Sequence, residues 1–155
     1  MSVQPQKVVI VPCSGIGKTY GSVSREAAYE VVEGLCPGTT QLVPLSLLVL
    51  GDEVSRQAIA ENPVITIDGC KLACATKMVQ ESSERSEPGR PGSRPGKQPA
   101  RDFAVLEVYR RYKQFKPQGI AELSEGGLQL ARALAQEIAS EVERLGSESE
   151  AGQHG

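Results

Sequence analysis

Four cysteines carry the sharpest chemical signal in this chain of 155 residues: Cys13, Cys36, Cys70 and Cys74. The single histidine, His154, stands next to the end. A chain without internal imidazole is poorly equipped for Ser–His–Asp or Cys–His catalysis and for His-ligated zinc. What remains is thiol chemistry. In a reducing compartment four free cysteines are candidates for metal binding or reversible redox rather than for structural disulfides. Cys70 and Cys74 are spaced Cys-x-x-x-Cys, looser than the two-residue spacing of thioredoxin-like centres. If residues 70–80 are helical, the two thiols share one helical face.

The elements that would position these thiols follow from the apolar pattern. Lys7–Pro12 (KVVIVP) is a β-branched run suited to a strand buried on both faces of a parallel sheet. A glycine-bearing turn, Cys13–Gly21, follows. A helix is then expected from a Ser22 or Ser24 cap, ending at Pro37-Gly38. Thr40–Val43 reads as a short strand, and Pro44–Gly51 as an apolar connection of undetermined form. Asp52 starts a helix that ends near Asn62-Pro63, and Val64–Ile67 (VITI) is a third strand. The alternation predicts a doubly wound α/β fold, a three-layer Rossmann-like open sheet that is mainly parallel. With strand order 2-1-3, the turns after strands one and three meet at the carboxyl edge, where such sheets bind ligands. That juxtaposition brings Cys13 to Cys70 and Cys74.

Beyond residue 80 the pattern loosens. Residues 81–101 hold eleven Pro, Gly or Ser and one apolar residue, Ala100, and are expected to form a flexible insertion. Phe103–Val108 suits a fourth strand, although the pattern through Tyr112 also suits a helix. A last amphipathic helix is capped by Ser124, with Leu128, Ala131, Leu134, Ala135, Ile138, Val142 and Leu145 on one stripe. Residues 1–150 are expected to form one domain, with 146–155 as a disordered tail.

Two segments, 11–39 (VPCSGIGKTYGSVSREAAYEVVEGLCPGT) and 61–79 (ENPVITIDGCKLACATKMV), closely resemble the DGC domain family, named for the motif present here as Asp68-Gly69-Cys70. The likeness spans most of residues 7–80 and is weaker from Gly119 onward; the insertion is not part of it. The resemblance implies a thiolate metal site and proposes zinc, and says little about a reaction. Residue by residue, Cys13, Cys70 and Cys74 are the expected metal ligands. A fourth position is then left open or filled by Asp68, which could equally cap the following helix. Cys36 is a further candidate ligand. A helix of fourteen residues carries it roughly 21 Å back toward the other edge of the sheet, so a small buried hydrophobe is the favoured reading.

Rival readings start from the same residues. Pro12–Thr19 (PCSGIGKT) imitates a phosphate-binding loop. Pro12, however, occupies its first glycine position and can neither donate an N–H nor take a positive φ. A low-molecular-weight phosphatase would need Arg six positions after its cysteine, where Thr19 stands. Arg25 reads as the solvent face of the first helix, with anion binding a minority role. A dithiol redox protein using Cys70 and Cys74 with Cys13 is the main alternative. A third is a zinc-stabilised binding module for an unknown small molecule or protein.

Charge and composition narrow the partners. Net charge is −2, with −1 over residues 1–80, +2 over 81–101 and −3 over 102–155. No segment has the basic excess that a nucleic-acid groove needs. No apolar stretch approaches the roughly 20 residues of a membrane span, and no signal peptide is recognisable at the start. A cytoplasmic location is the expectation.

Overall fold

The structure is a computed structural model that describes residues 6–83 and 96–153. Four parallel strands form one sheet in the order β2-β1-β3-β4: β1 (Val8–Pro12), β2 (Thr40–Leu42), β3 (Val64–Asp68) and β4 (Arg101–Ala104). Ile10 pairs with Leu42 on one side and with Ile65 on the other, while Ile67 pairs with Phe103. The two-residue period of the strands divides the core. Ile10, Ile65, Ile67 and Phe103 face one layer of helices, and Val9, Val11 and Val64 face the other. The sheet is thus α/β, parallel and covered on both faces, as the sequence pattern predicts.

The first layer holds α1 (Thr19–Tyr29), α5 (Val105–Arg111) and α6 (Glu125–Gln153); the second holds α2 (Leu45–Leu50), α3 (Glu53–Glu61) and α4 (Cys74–Ser83). Among the described residues no helix is long and apolar enough to cross a membrane.

Several boundaries differ from expectation, each for a local reason. α1 starts at Thr19, so Ser22 and Ser24 lie inside the helix and are buried, not capping. Gly15 and Gly21 allow the early start. A Cβ built on Gly15 would lie 2.4 Å from the Gly21 Cα, and one on Gly21 2.3 Å from the Gly15 carbonyl. After Tyr29 the helix widens into a π turn, Glu30–Leu35, closed by Cys36 N donating to the Val31 carbonyl at 2.8 Å. Pro44–Gly51 resolves into α2, ended by Gly51 at φ +77°. α3 is capped by Asp52, whose carboxylate accepts from Ser55 N at 2.9 Å and Ser55 Oγ at 2.7 Å.

The strand expected over Phe103–Val108 ends at Ala104, the last residue paired with β3; with no further partner the chain turns directly into α5. Of the insertion expected at 81–101, residues 81–83 and 96–101 are described. α4 continues to Ser83, and the returning chain is fixed from Gly96 onward. A Cβ on Gly96 would lie 2.1 Å from the Gln80 carbonyl. Lys97 N donates to Ser83 Oγ at 2.6 Å, and Lys97 Nζ donates to the carbonyls of Ile59 at 2.9 Å and Asn62 at 2.6 Å. The ammonium thereby satisfies carbonyls at the end of α3 that the helix leaves free. Residues 84–95 lie outside the described residues.

In α6, Ser124 Oγ accepts from Gly127 N at 3.2 Å, and the stripe from Ala131 to Leu145 is buried. Leu130 joins that stripe in place of the half-buried Leu128. The helix runs on to Gln153, past residue 146, where the tail is expected to begin. Arg144 bridges Glu141 and Glu148 at helical spacing and supports the continuation.

Candidate functional site

The site grows from one fact of topology. β1 and β3 are neighbours and parallel, so Cys13 and the Asp68-Gly69-Cys70 motif leave the sheet side by side. Cys13 N still donates to the Ile67 carbonyl at 2.8 Å, extending the ladder by one residue. The Cys13 side chain is 6% exposed. Its Sγ accepts from Gly69 N at 3.2 Å and lies 3.3 Å from Ser24 Oγ. Ser24 Oγ has its shortest bond, 2.6 Å, to the Gly21 carbonyl. Across the contact with Cys13 either group can donate: the hydroxyl accepts from the neutral thiol and donates to the thiolate.

Burial pushes the Cys13 thiol above its ordinary value. The Ser24 and Gly69 bonds oppose that shift in part, and the nearby charges of Asp68 and Cys70 add to it. Cys13 is therefore a neutral thiol at pH 7 that sits within electrostatic reach of Cys70.

Each residue of the motif has a separate task. Asp68 is buried, and both its oxygens are engaged: Oδ1 accepts from Ala75 N at 2.8 Å and Oδ2 from Thr76 Oγ1 at 2.6 Å. It caps α4 from the end of β3, the second of the two roles expected for it. Gly69 presses on the start of α1, where a Cβ would lie 2.9 Å from both Gly21 N and the Tyr20 carbonyl carbon. That close approach delivers the Gly69 N–H to Cys13. Cys70 follows, half-buried.

The cap also corrects the expected helix over 70–80. With Asp68 meeting the first donors of α4, the helix begins at Cys74, and residues 70–73 form a turn. Ala73 N donates to the Cys70 carbonyl at 3.2 Å, and Ala73 sits at φ +50°. Cys70 and Cys74 therefore do not share a helical face, and Cys74 is exposed.

Cys36 stands elsewhere. It follows the π turn, with its carbonyl accepting from Thr40 Oγ1 at 2.7 Å, and Thr39 is bonded to Val8 at the amino end of β1. The five residues of β1 separate the two ends by roughly 16 Å. Cys36 packs in the core beneath α6, where burial, and secondarily the charge of Glu143, raises its thiol pKa.

The loop resembling a phosphate cradle is folded on itself. Lys18 N donates to the Gly15 carbonyl at 3.1 Å, and the glycines serve the close approach to α1. Arg25, expected on the solvent face, is half-buried and donates to the Ser14 carbonyl and to Ser22 Oγ, tying the loop to the helix. Sequence reasoning missed Ser24 and the Gly69 N–H as partners of Cys13. A serine at helical spacing on the apolar face of α1 was the available signal for the first.

A model of the DGC domain matches residues 9–88, just over half of the chain. The chain belongs to the DGC domain family. No curated protein and no solved structure matches it. The matched span contains the β1-to-α4 unit from the second residue of β1 onward, both cysteine turns and the DGC motif whose three tasks are described above.

For zinc, the metal proposed for DGC domains, the donor chemistry fits: thiols are soft ligands that zinc favours. The arrangement fits less well. Among the described residues no three of His, Cys, Asp or Glu stand together as a ready ligand group. Asp68 is committed to α4 and Cys74 is exposed.

Proposed function

We propose that this DGC-domain protein binds zinc through the thiolates of Cys13, Cys70 and Cys74 at the carboxyl edge of β1 and β3. The observation that carries the reading is the bond from Gly69 N to Cys13 Sγ, which seats the residue before Cys70 directly on the Cys13 sulfur. Exposure of Cys74 at the start of α4 leaves that thiol free to join by a shift of the 70–73 turn. A fourth position is open to water or an unknown small-molecule or protein partner; Asp68 would reach it only by releasing α4. Cys36 takes no part. Zinc bound there would supply a Lewis acid or a fixed structural anchor. The thiols must remain reduced for this role, which suits a cytoplasmic location.

Metal binding must displace the raised proton of Cys13, so affinity should rise with pH and binding should release protons. Elemental analysis of protein purified without added zinc should give one metal per chain. Cobalt substitution should give thiolate charge-transfer bands, lost with Cys13→Ser, Cys70→Ser or Cys74→Ser and kept with Cys36→Ser. Retention of stoichiometric metal in the Cys70→Ser and Cys74→Ser proteins refutes the site.

A dithiol redox role has one observation in its favour: the N–H that meets the Cys13 sulfur belongs to Gly69, the residue before Cys70. Metal-free protein with two fewer titratable thiols after mild oxidation, restored by dithiothreitol, would select that reading.

A further inference from the structure

A cleft of about 290 Å³ lies between α1 and the segment that leads into α6, and no cysteine lines it. We propose that it binds a small zwitterion bearing a carboxylate and a protonated amine, a molecule of the amino-acid class. Its volume, about ten waters' worth, sits at the small end of ligand pockets.

The charge pattern selects the ligand. Arg25 is the cation of the cleft, held in place by its bonds to the Ser14 carbonyl and, at 3.2 Å, to Ser22 Oγ. Ser22 Oγ in turn donates to the Ile120 carbonyl, so the two walls are tied together beneath the guanidinium. Two of the five guanidinium N–H groups are used this way, and three remain to receive a carboxylate. Glu26 and Glu122 line the same cleft, and among the described residues neither makes a hydrogen bond or ion pair.

One fixed cation between two unpaired carboxylates repels a polyanion such as a nucleotide phosphate. A simple amine would pair with the carboxylates but leave the free Arg25 N–H groups without an anion. A molecule with one charge of each sign satisfies both. Tyr29 and Leu128 supply the apolar wall for a side chain. Because Arg25 holds the carbonyl of Ser14, the residue after Cys13, an occupant of the cleft would bear on the loop that carries the thiol. Binding itself needs no cysteine and no metal.

The test uses the full-length protein and the twenty common L-α-amino acids, each with its decarboxylated amine and its deaminated acid, read by thermal shift and isothermal titration. At least one amino acid should bind, with its amine and its acid at least tenfold weaker. Arg25→Lys, which loses the planar fork, should weaken binding tenfold or more. Glu26→Gln with Glu122→Gln should weaken it several-fold without altering the melting temperature of the free protein. Cys13→Ser should leave affinity unchanged, which separates this site from the zinc reading. Binding by none of the amino acids, equal binding of the bare acid, or undiminished affinity in the double glutamine variant would overturn the proposal. If Arg25→Lys fails to fold, the double glutamine variant and the ligand series still decide it.

Discussion

Cys13 and Cys36 are almost equally buried, at 6% and 8% exposure, yet they occupy opposite ends of β1 and different chemical worlds. Around Cys13 the chain has arranged polar partners: a backbone N–H from Gly69 and the Ser24 hydroxyl. Around Cys36 the neighbours are the apolar side chains of the core cluster under α6. The same side chain is a hydrogen-bonded thiol in one place and a small hydrophobe in the other. Burial alone does not distinguish a site from a core. The pairing of burial with donors does, and here it coincides with the carboxyl edge of the sheet.

The largest test of this contrast is backbone packing. Gly21→Ala puts a Cβ 2.3 Å from the Gly15 carbonyl, with backbone on both sides and no side chain to yield. It should cost about 3 kcal/mol, read as a fall in the guanidinium midpoint. At the other end, a Cβ on Gly34 meets nothing nearer than Glu30 Oε1 at 3.9 Å, so Gly34→Ala should be neutral or stabilising by about 0.5 kcal/mol. Equal losses in the two variants would mean that the Gly15–Gly21 contact does not hold the loop.

Serine at each cysteine sharpens the comparison. Cys36→Ser places a hydroxyl in an apolar cluster and should cost about 2 kcal/mol, with metal content unchanged. Cys13→Ser inherits the partners Gly69 N and Ser24 and should cost under about 1 kcal/mol, while abolishing metal binding. Denaturant melts with elemental analysis check both, and the reverse order of stabilities would break the distinction. Asp68→Ala should cost about 1 to 2 kcal/mol through the lost cap of α4. Its metal stoichiometry should survive, since the carboxylate is committed to Ala75 and Thr76.

The smallest effect is with pH. Both thiols have folded pKa values above the ordinary thiol value of 9.0. Raised folded values mean that the unfolded chain loses its protons first. Stability of the metal-free protein is then unaffected below pH 9 and falls as pH rises from there through the folded values. Cys36→Ala should flatten part of that fall in a pH series of urea melts.

Much of this was legible in the sequence because strands buried on both faces announce themselves. Val8–Val11 and Val64–Ile67 are β-branched runs, and their adjacency follows from the 2-1-3 order usual in a doubly wound sheet. The junction of strand and helix was harder. Asp68 reaches seven residues along the chain to Ala75, and nothing in the local pattern distinguishes that cap from one acting at the adjacent residue; hence the helix was expected four residues early. Arg25 reads as surface by its charge, and its bonds run to Ser14, eleven residues back. Lys97 was legible only as part of a polar stretch, because its carbonyl partners, Ile59 and Asn62, belong to a helix end far away in the sequence.

That lysine has a practical consequence. Its own N–H holds Ser83 and its ammonium holds the end of α3, so the chain is clasped shut at the base of whatever connects residues 83 and 97. A connection closed at its base can change length cheaply, at about 0.6 kcal/mol for each doubling. The stretch between the clasp points is accordingly a natural socket for an inserted epitope or fluorophore. The clasp itself stands at the end of α3, just before β3 begins and at the opposite end of that strand from Cys70, so cargo joined there starts away from the cysteines.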